Sequence, residues 1–233
     1  MAIFITGDTH GELSMNRLSH NKWPVGRELS KKDVLIILGD FGLIFHPVQQ
    51  GPEKWWLAWL ENKPWTTLFV DGNHENHETL NLLPREVRYG GIVGKVSDSV
   101  YHLRRGEIYE ICGKKILAFG GAQSVDKESR IDGISWWKEE VPNHQDMENC
   151  LDNLEKHQYS VDIIVAHQCP LTLARIMGCK LGFDFDMKTA DMTCKMLEHI
   201  ISICTFSDYY CGHWHLNEDM GKYHFLYTNI VAI

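Results

Sequence analysis

Residues 34–42 read Val-Leu-Ile-Ile-Leu-Gly-Asp-Phe-Gly, five apolar residues without interruption that stop at Gly39 and turn polar at Asp40. A short apolar run with no polar alternation marks a strand buried on both faces, and a glycine directly behind it marks the turn that ends it. The same grammar recurs along the chain: AIFITGDTHG at 2–11, TLFVDGNHE at 67–75, DIIVAHQCP at 162–170 and SDYYCGHWH at 207–215. The apolar stretch 116–119 is followed by a glycine pair. Strands of this kind belong to a sheet covered on both sides, so helices are expected between them.

Helix candidates lie at 12–20, 53–62, 145–157 and 187–204, the third with Asn143 as N-cap. Strand and helix alternate, which predicts an α/β layered fold. Residues 100–119 look different, because VYHL, EIYEI and KKILAF alternate around RRG and CGK, and this predicts an antiparallel meander. The stretch 207–233 reads as strand and turn around Gly212 and Gly221. No repeat and no linker rich in Pro, Gly or Ser divides the 233 residues, so one domain, 1–233, is expected.

A net charge of −8 argues against a broad basic face for nucleic acid, whose binding needs clustered Lys and Arg. No stable nucleic-acid binding is expected. An anionic substrate is then held locally, which a small metal site does well. The seven cysteines form no CxxC pair and their odd number closes no disulfide framework, so reduced core thiols are expected. Neither a secretory leader nor an apolar run of membrane-spanning length is visible, and a cytoplasmic location without membrane association is the expectation.

The polar residues behind the apolar runs are of metal-binding type: Asp8, His10, Asp40, Asn73, His167, His213 and His215. Each alone has an ordinary reading as a turn residue, a capped core histidine or a surface side chain. Together they are seven oxygen and nitrogen donors at strand ends, where ligands collect in α/β sheets. That number suffices for two adjacent divalent metals sharing one carboxylate, and such donors suit Mn foremost, with Fe or Zn as alternatives.

GDTHG, GDFG, GNHE, AHQCP and GHWH, in this order from residue 7 to 215, resemble the five signature blocks of calcineurin-like metallophosphoesterases. The resemblance implies a two-sheet α/β/β/α sandwich with a binuclear metal site at the carboxyl ends of the strands. It implies that Asp8, His10 and His215 hold one metal, that Asn73, His167 and His213 hold the other, and that Asp40 bridges them. A hydroxide between the metals would attack phosphorus, and His74 would protonate the leaving group or contact phosphoryl oxygens. Asp71 and Glu75 flank this block as orienting groups or as solvated turn residues.

The chain departs from the protein serine/threonine phosphatase branch of that family. Where that branch continues GD-x-x-D-R-G, this sequence has Leu43 and Ile44, which removes an Asp partner for the histidine and an Arg for phosphate. A substitute lies in GGAQSVDKESR at 120–130, where Arg130 is a candidate substrate contact; a plain ion pair with Asp126 is the alternative. Trp55, Trp56 and Trp59 sit at helical spacing and read as packing. One of Trp136 or Trp137 as a pocket wall stands beside ordinary burial of large aromatics.

The expected function is metal-dependent hydrolysis of a phosphoester, monoester or diester, with a substrate that is small or nucleotide-like. A serine/threonine-type protein phosphatase is the alternative. A non-catalytic scaffold on the same fold is the remote one, which degenerate ligand positions would have indicated.

Overall fold

The computed structural model describes residues 1–182 and 191–233. Among these residues a seven-stranded and a six-stranded sheet lie face to face. The first contains β1 (Ile3–Thr6), β2 (Val34–Leu38), β3 (Thr66–Val70), β4 (Arg85–Arg88), β5 (Gly91–Lys95) and β6 (Val100–Leu103). The second contains β7 (Ile108–Ile111), β8 (Lys114–Phe119), β9 (Ile163–Ala166), β10 (Asp208–Cys211), β11 (Glu218–Met220) and β12 (Tyr223–Phe225). The chain then returns to the first sheet with β13 (Ile230–Ala232), antiparallel to β1. Strands β1, β2, β3 and β6 run parallel, as do β8, β9, β10 and β12.

Why the apolar runs are unbroken follows from the layers. Ile3, Ile5, Val34, Ile36, Leu38, Leu68 and Val70 point inward and meet Ile116, Ala118, Ile163 and Val165 of the other sheet. Their neighbours Phe4, Leu35, Ile37 and Phe69 point outward under Leu57, Leu60 and Trp65 around α1 (Gly51–Glu61). Leu117, Phe119, Ile164 and Ala166 point outward under α3 (His144–Lys156), α4 (Leu171–Leu181) and α5 (Met192–Ile203). The short α2 (His77–Leu82) follows β3. Both faces of each sheet are covered, so both side-chain periods must be apolar. The α/β/β/α sandwich is the observed architecture.

Several local expectations are corrected. Residues 12–20 form two 3-10 turns, Gly11–Leu13 and Met15–Leu18, not one helix. The cause is a competing set of bonds. Ser14 Oγ donates to Thr9 O (2.6 Å), and Arg17 is pulled back onto Gly7 O (2.5 Å) and Asp8 O (2.9 Å). The meander over 100–119 is split: β7 and β8 are an antiparallel hairpin, whereas β6 lies in the other sheet, parallel to β3 and antiparallel to β5. Alternation specifies a strand but not its partner, and residues 104–107 carry the chain from one sheet to the other. The last helix begins at Met192 with Asp191 accepting from Thr193 N (2.8 Å); positions 187–190 of the expected helix lie outside the described residues. Asn143 caps α3 as expected. All seven cysteines are unbridged, five of them buried, while Cys112 is half-buried and Cys179 exposed. No helix among the described residues is long and apolar enough to cross a membrane.

Candidate metal centre

The parallel strands β1, β2, β3, β9 and β10 all end on the same side, and each delivers its donors from the turn that follows. These turns are tight. His10, Asp40, His213 and His215 all have φ between 45° and 63°, in the left-handed region that non-glycine residues rarely adopt. Among the described residues, four of the eight non-glycine residues in that conformation are therefore candidate donors, a concentration typical of functional loops. Neighbouring glycines make the convergence possible: a Cβ on Gly39 would collide with the His167 ring, and one on Gly72 with the Asp40 carboxylate.

Asp8, His10, Asp40 and His215 present donor atoms that all lie within 4.8 Å of one another. His215 Nε2 is 3.1 Å from Asp8 Oδ2 and 3.1 Å from His10 Nε2, and His10 Nε2 is 3.7 Å from Asp40 Oδ2. A second set adjoins the first. His167 Nδ1–H donates to Leu38 O at 2.7 Å, which orients the ring. Its Nε2 faces Asn73 Oδ1 at 3.1 Å and Asp40 Oδ1 at 3.6 Å. The His213 ring packs against it, centroids 4.9 Å apart, and His213 N donates to both Asp8 oxygens at 3.1 Å.

The electrostatics are those of a place built for cations. Asp8, Asp40 and His167 are almost wholly buried. Burial and then the nearby Asp8 charge push the Asp40 carboxyl well above its usual range. Burial would raise Asp8 as well, but the His215 hydrogen bond and neighbouring histidines hold it low. Burial and then His167 push His213 down to about 3, so its ring is a neutral donor. Two carboxyl groups and four imidazoles crowded together at this depth are costly to bury unless a cation lies among them. The donor set fits divalent metals, and Asp40, with one oxygen toward each group, stands between them.

His74 stands at the rim, its N–H donating to Asp40 Oδ1 (2.9 Å) and its ring 5.3 Å from that of His10. Arg130 Nη2 lies 2.8 Å from His74 Nδ1 and 3.1 Å from Nε2, so the guanidinium faces the ring edge between the nitrogens. Arg130 also pairs with Asp126 through Nε (2.8 Å), the ion pair of the alternative reading. Burial first, then Arg130 and His10, lower His74 to about 4, leaving a neutral imidazole. Leu43 and Ile44, in place of the polar pair, are buried under the first sheet.

Asp71 and Glu75 are not solvated turn residues. Glu75 accepts from Phe41 N (2.5 Å) and Gly72 N (2.7 Å), tying the β2 and β3 turns together. Asp71 turns away from His74 and accepts from Arg105 Nε (2.8 Å) and His102 Nε2 (3.0 Å). Trp137 is buried against Phe45, and Lys127 lies over Trp136, 4.2 Å from its centroid. Trp55 is largely exposed, so the packing expectation holds for Trp56 and Trp59 and not for it. Sequence reasoning passed over Arg17, Ser124, Glu140, Arg105 and His102. Ser124 stood in the GGAQS stretch already marked for substrate contact, whereas Arg17, His102 and Arg105 lay in segments read only for their secondary structure.

Residues 1–184 match the family described as calcineurin-like phosphoesterase. The chain belongs to the calcineurin-like phosphoesterase family. This phosphoesterase chain is also 26% identical to the lariat debranching enzyme of Schizosaccharomyces pombe (strain 972 / ATCC 24843) over 195 residues. The match covers 75% of this chain and 41% of that enzyme, so the phosphoesterase chain spans well under half of the relative's length.

Proposed function

We propose that the protein is a metal-dependent phosphoester hydrolase, with Asp8, His10 and His215 holding one divalent cation, Asn73, His167 and His213 the other, and Asp40 shared. The observation that carries the reading is the convergence of donors: Asp8, His10, Asp40 and His215 atoms lie within 4.8 Å of one another, and beside them His167 Nε2 faces Asn73 Oδ1 at 3.1 Å. When bound, two such cations supply Lewis acidity that polarises a phosphoryl oxygen and acidifies water. Oxygen- and nitrogen-rich donors suit Mn, with Fe and Zn as competitors.

The chain's own residues supply the rest. Asp40 is held by the His74 amide, and His74 reaches the substrate side of the centre as a neutral ring. Its N–H is suited to a phosphoryl oxygen; leaving-group protonation would require the imidazolium that Arg130 disfavours. In the protein phosphatase pattern an Asp partners this histidine, and here a cation does.

A phosphodiester is favoured over a monoester. Arg130 is already paired with Asp126, and the second-block Arg is replaced by buried aliphatic residues, so little free positive charge is left for a monoester dianion. A likeness to a debranching enzyme points the same way. Metal-stripped protein given Mn should hydrolyse bis-p-nitrophenyl phosphate faster than p-nitrophenyl phosphate, and Asp40→Asn should abolish both. A faster monoester would overturn the diester assignment, and folded protein inert with Mn, Fe and Zn would overturn the hydrolase reading.

A further inference from the structure

Asn73 presents its oxygen to the donor cluster: Oδ1 lies 3.1 Å from His167 Nε2, whose ring is anchored by Nδ1–H donating to Leu38 O at 2.7 Å. Turned over, the amide would point Nδ2 there and offer a cation no lone pair. An amide orientation is fixed by its hydrogen-bond network, so something must hold the oxygen on this side.

Ser124 does so. Its Oγ accepts from Asn73 Nδ2 at 3.1 Å, and its own single hydrogen is committed to Glu140 Oε2 at 2.5 Å. Glu140 Oε1 accepts from Ser124 N at 2.8 Å, which fixes the carboxylate and the serine together. A carboxylate only accepts, so the hydroxyl must donate to Glu140 and can only accept from Asn73. The polarity runs one way: Glu140 sets Ser124, and Ser124 sets Asn73. All three residues are buried, at 1%, 3% and 5% exposure, so water cannot substitute. The backbone closes the circuit, since Arg105 Nη2 donates to Glu139 O (2.9 Å) and Glu140 O (3.1 Å) and also grips Asp71, two residues before Asn73.

We infer that Ser124 and Glu140 are positioning residues that lock the Asn73 amide with its oxygen toward the metal, keeping the second cation site formed before any cation arrives. The inference rests on the proposed metal assignment.

The test compares wild type, Ser124→Ala, Ser124→Thr and Glu140→Gln as full chains, with Mn as the probe. Mn stoichiometry and affinity come from titration calorimetry, and the Mn-induced rise in melting temperature is read against each variant's own metal-free value. Glu140→Gln is nearly isosteric but can donate to Ser124 Oγ, which frees the hydroxyl to donate to Asn73 Oδ1 and lets the amide turn over. Ser124→Ala and Glu140→Gln should each weaken one of the two Mn sites about 10- to 100-fold and shrink the Mn-induced rise, with the other site unchanged. Ser124→Thr, which keeps the hydroxyl, should restore the site. Variants whose metal-free melting temperature drops while both Mn affinities and the Mn-induced rise stay at wild-type values would show a merely structural role and overturn the inference. Should Ser124→Ala fail to fold, Glu140→Gln decides by the same two readings. Wild type binding no Mn, Fe or Zn would instead count against the metal assignment itself.

Discussion

Asp71 carries a carboxylate with 1% exposure between His102 and Arg105, beside the turn that bears Asn73 and His74. Burial alone would raise it, but the Arg105 charge and the His102 hydrogen bond hold it well below the usual carboxylate range. The sign of the pH dependence follows. A group whose folded pKa is depressed contributes stability above its unfolded pKa, about 4 for Asp, and loses that contribution as pH falls through the folded value. Removing one partner of a buried pair leaves the other charge uncompensated, at a cost of about 3–5 kcal/mol. Asp71→Asn should therefore lose that much at pH 7 by urea denaturation, and its deficit against wild type should narrow as pH falls below about 4. An equal deficit at pH 7 and pH 3 would show that the charge is not the cause. The sequence marked Asp71 only as a neighbour of the GNHE block, since its partners are 31 and 34 residues away.

Among the elements, α3 was the most legible. Asn143 Oδ1 accepts from Gln145 N (2.7 Å) and Asp146 N (3.2 Å), while Asp146 Oδ2 accepts from Asn143 N (2.9 Å). This reciprocal cap is encoded within four residues and needs no tertiary context. Asn143→Ala should cost about 1 kcal/mol in urea unfolding, with the proposed phosphoester hydrolysis by the folded protein unchanged; a loss within error of zero would mean that the cap is redundant. Residues 12–20 show the opposite case. Nothing local forbids a helix there, but Arg17 is drawn onto the carbonyls of Gly7 and Asp8, which holds the turn that carries the candidate donors Asp8 and His10. The helices α2 and α4 went unseen because the first is a turn and a half long and the second follows Pro170 without a side-chain cap.

At the scale of the whole molecule, the two sheets are joined by an apolar seam and by a buried tyrosine. Tyr109, on β7, is fully buried; its hydroxyl accepts from Arg104 N (2.8 Å) and donates to Ile92 O (2.8 Å) on β5 of the other sheet. Tyr109→Phe would remove the partner of a part-buried amide and a part-buried carbonyl, so a loss of about 1 kcal/mol in urea unfolding is expected, with the Mn affinities retained. A variant as stable as wild type would assign the joining of the sheets to the apolar seam alone.

Short-range chemistry determined much of this protein from its sequence: buried strands from unbroken apolar runs, polar donors from the residues behind Gly7, Gly39, Gly72 and Gly212, and one helix from its cap. Those signals lie within a few residues of each other, and the five blocks in order sufficed for the family. What only the tertiary structure decided is pairing across distance. It placed β6 with β3, set Arg130 against His74 across 56 residues, and set Ser124 against Asn73 across 51. A strand's pattern does not name its neighbour, and an amide's orientation depends on the hydrogen-bond partner that the fold brings to it.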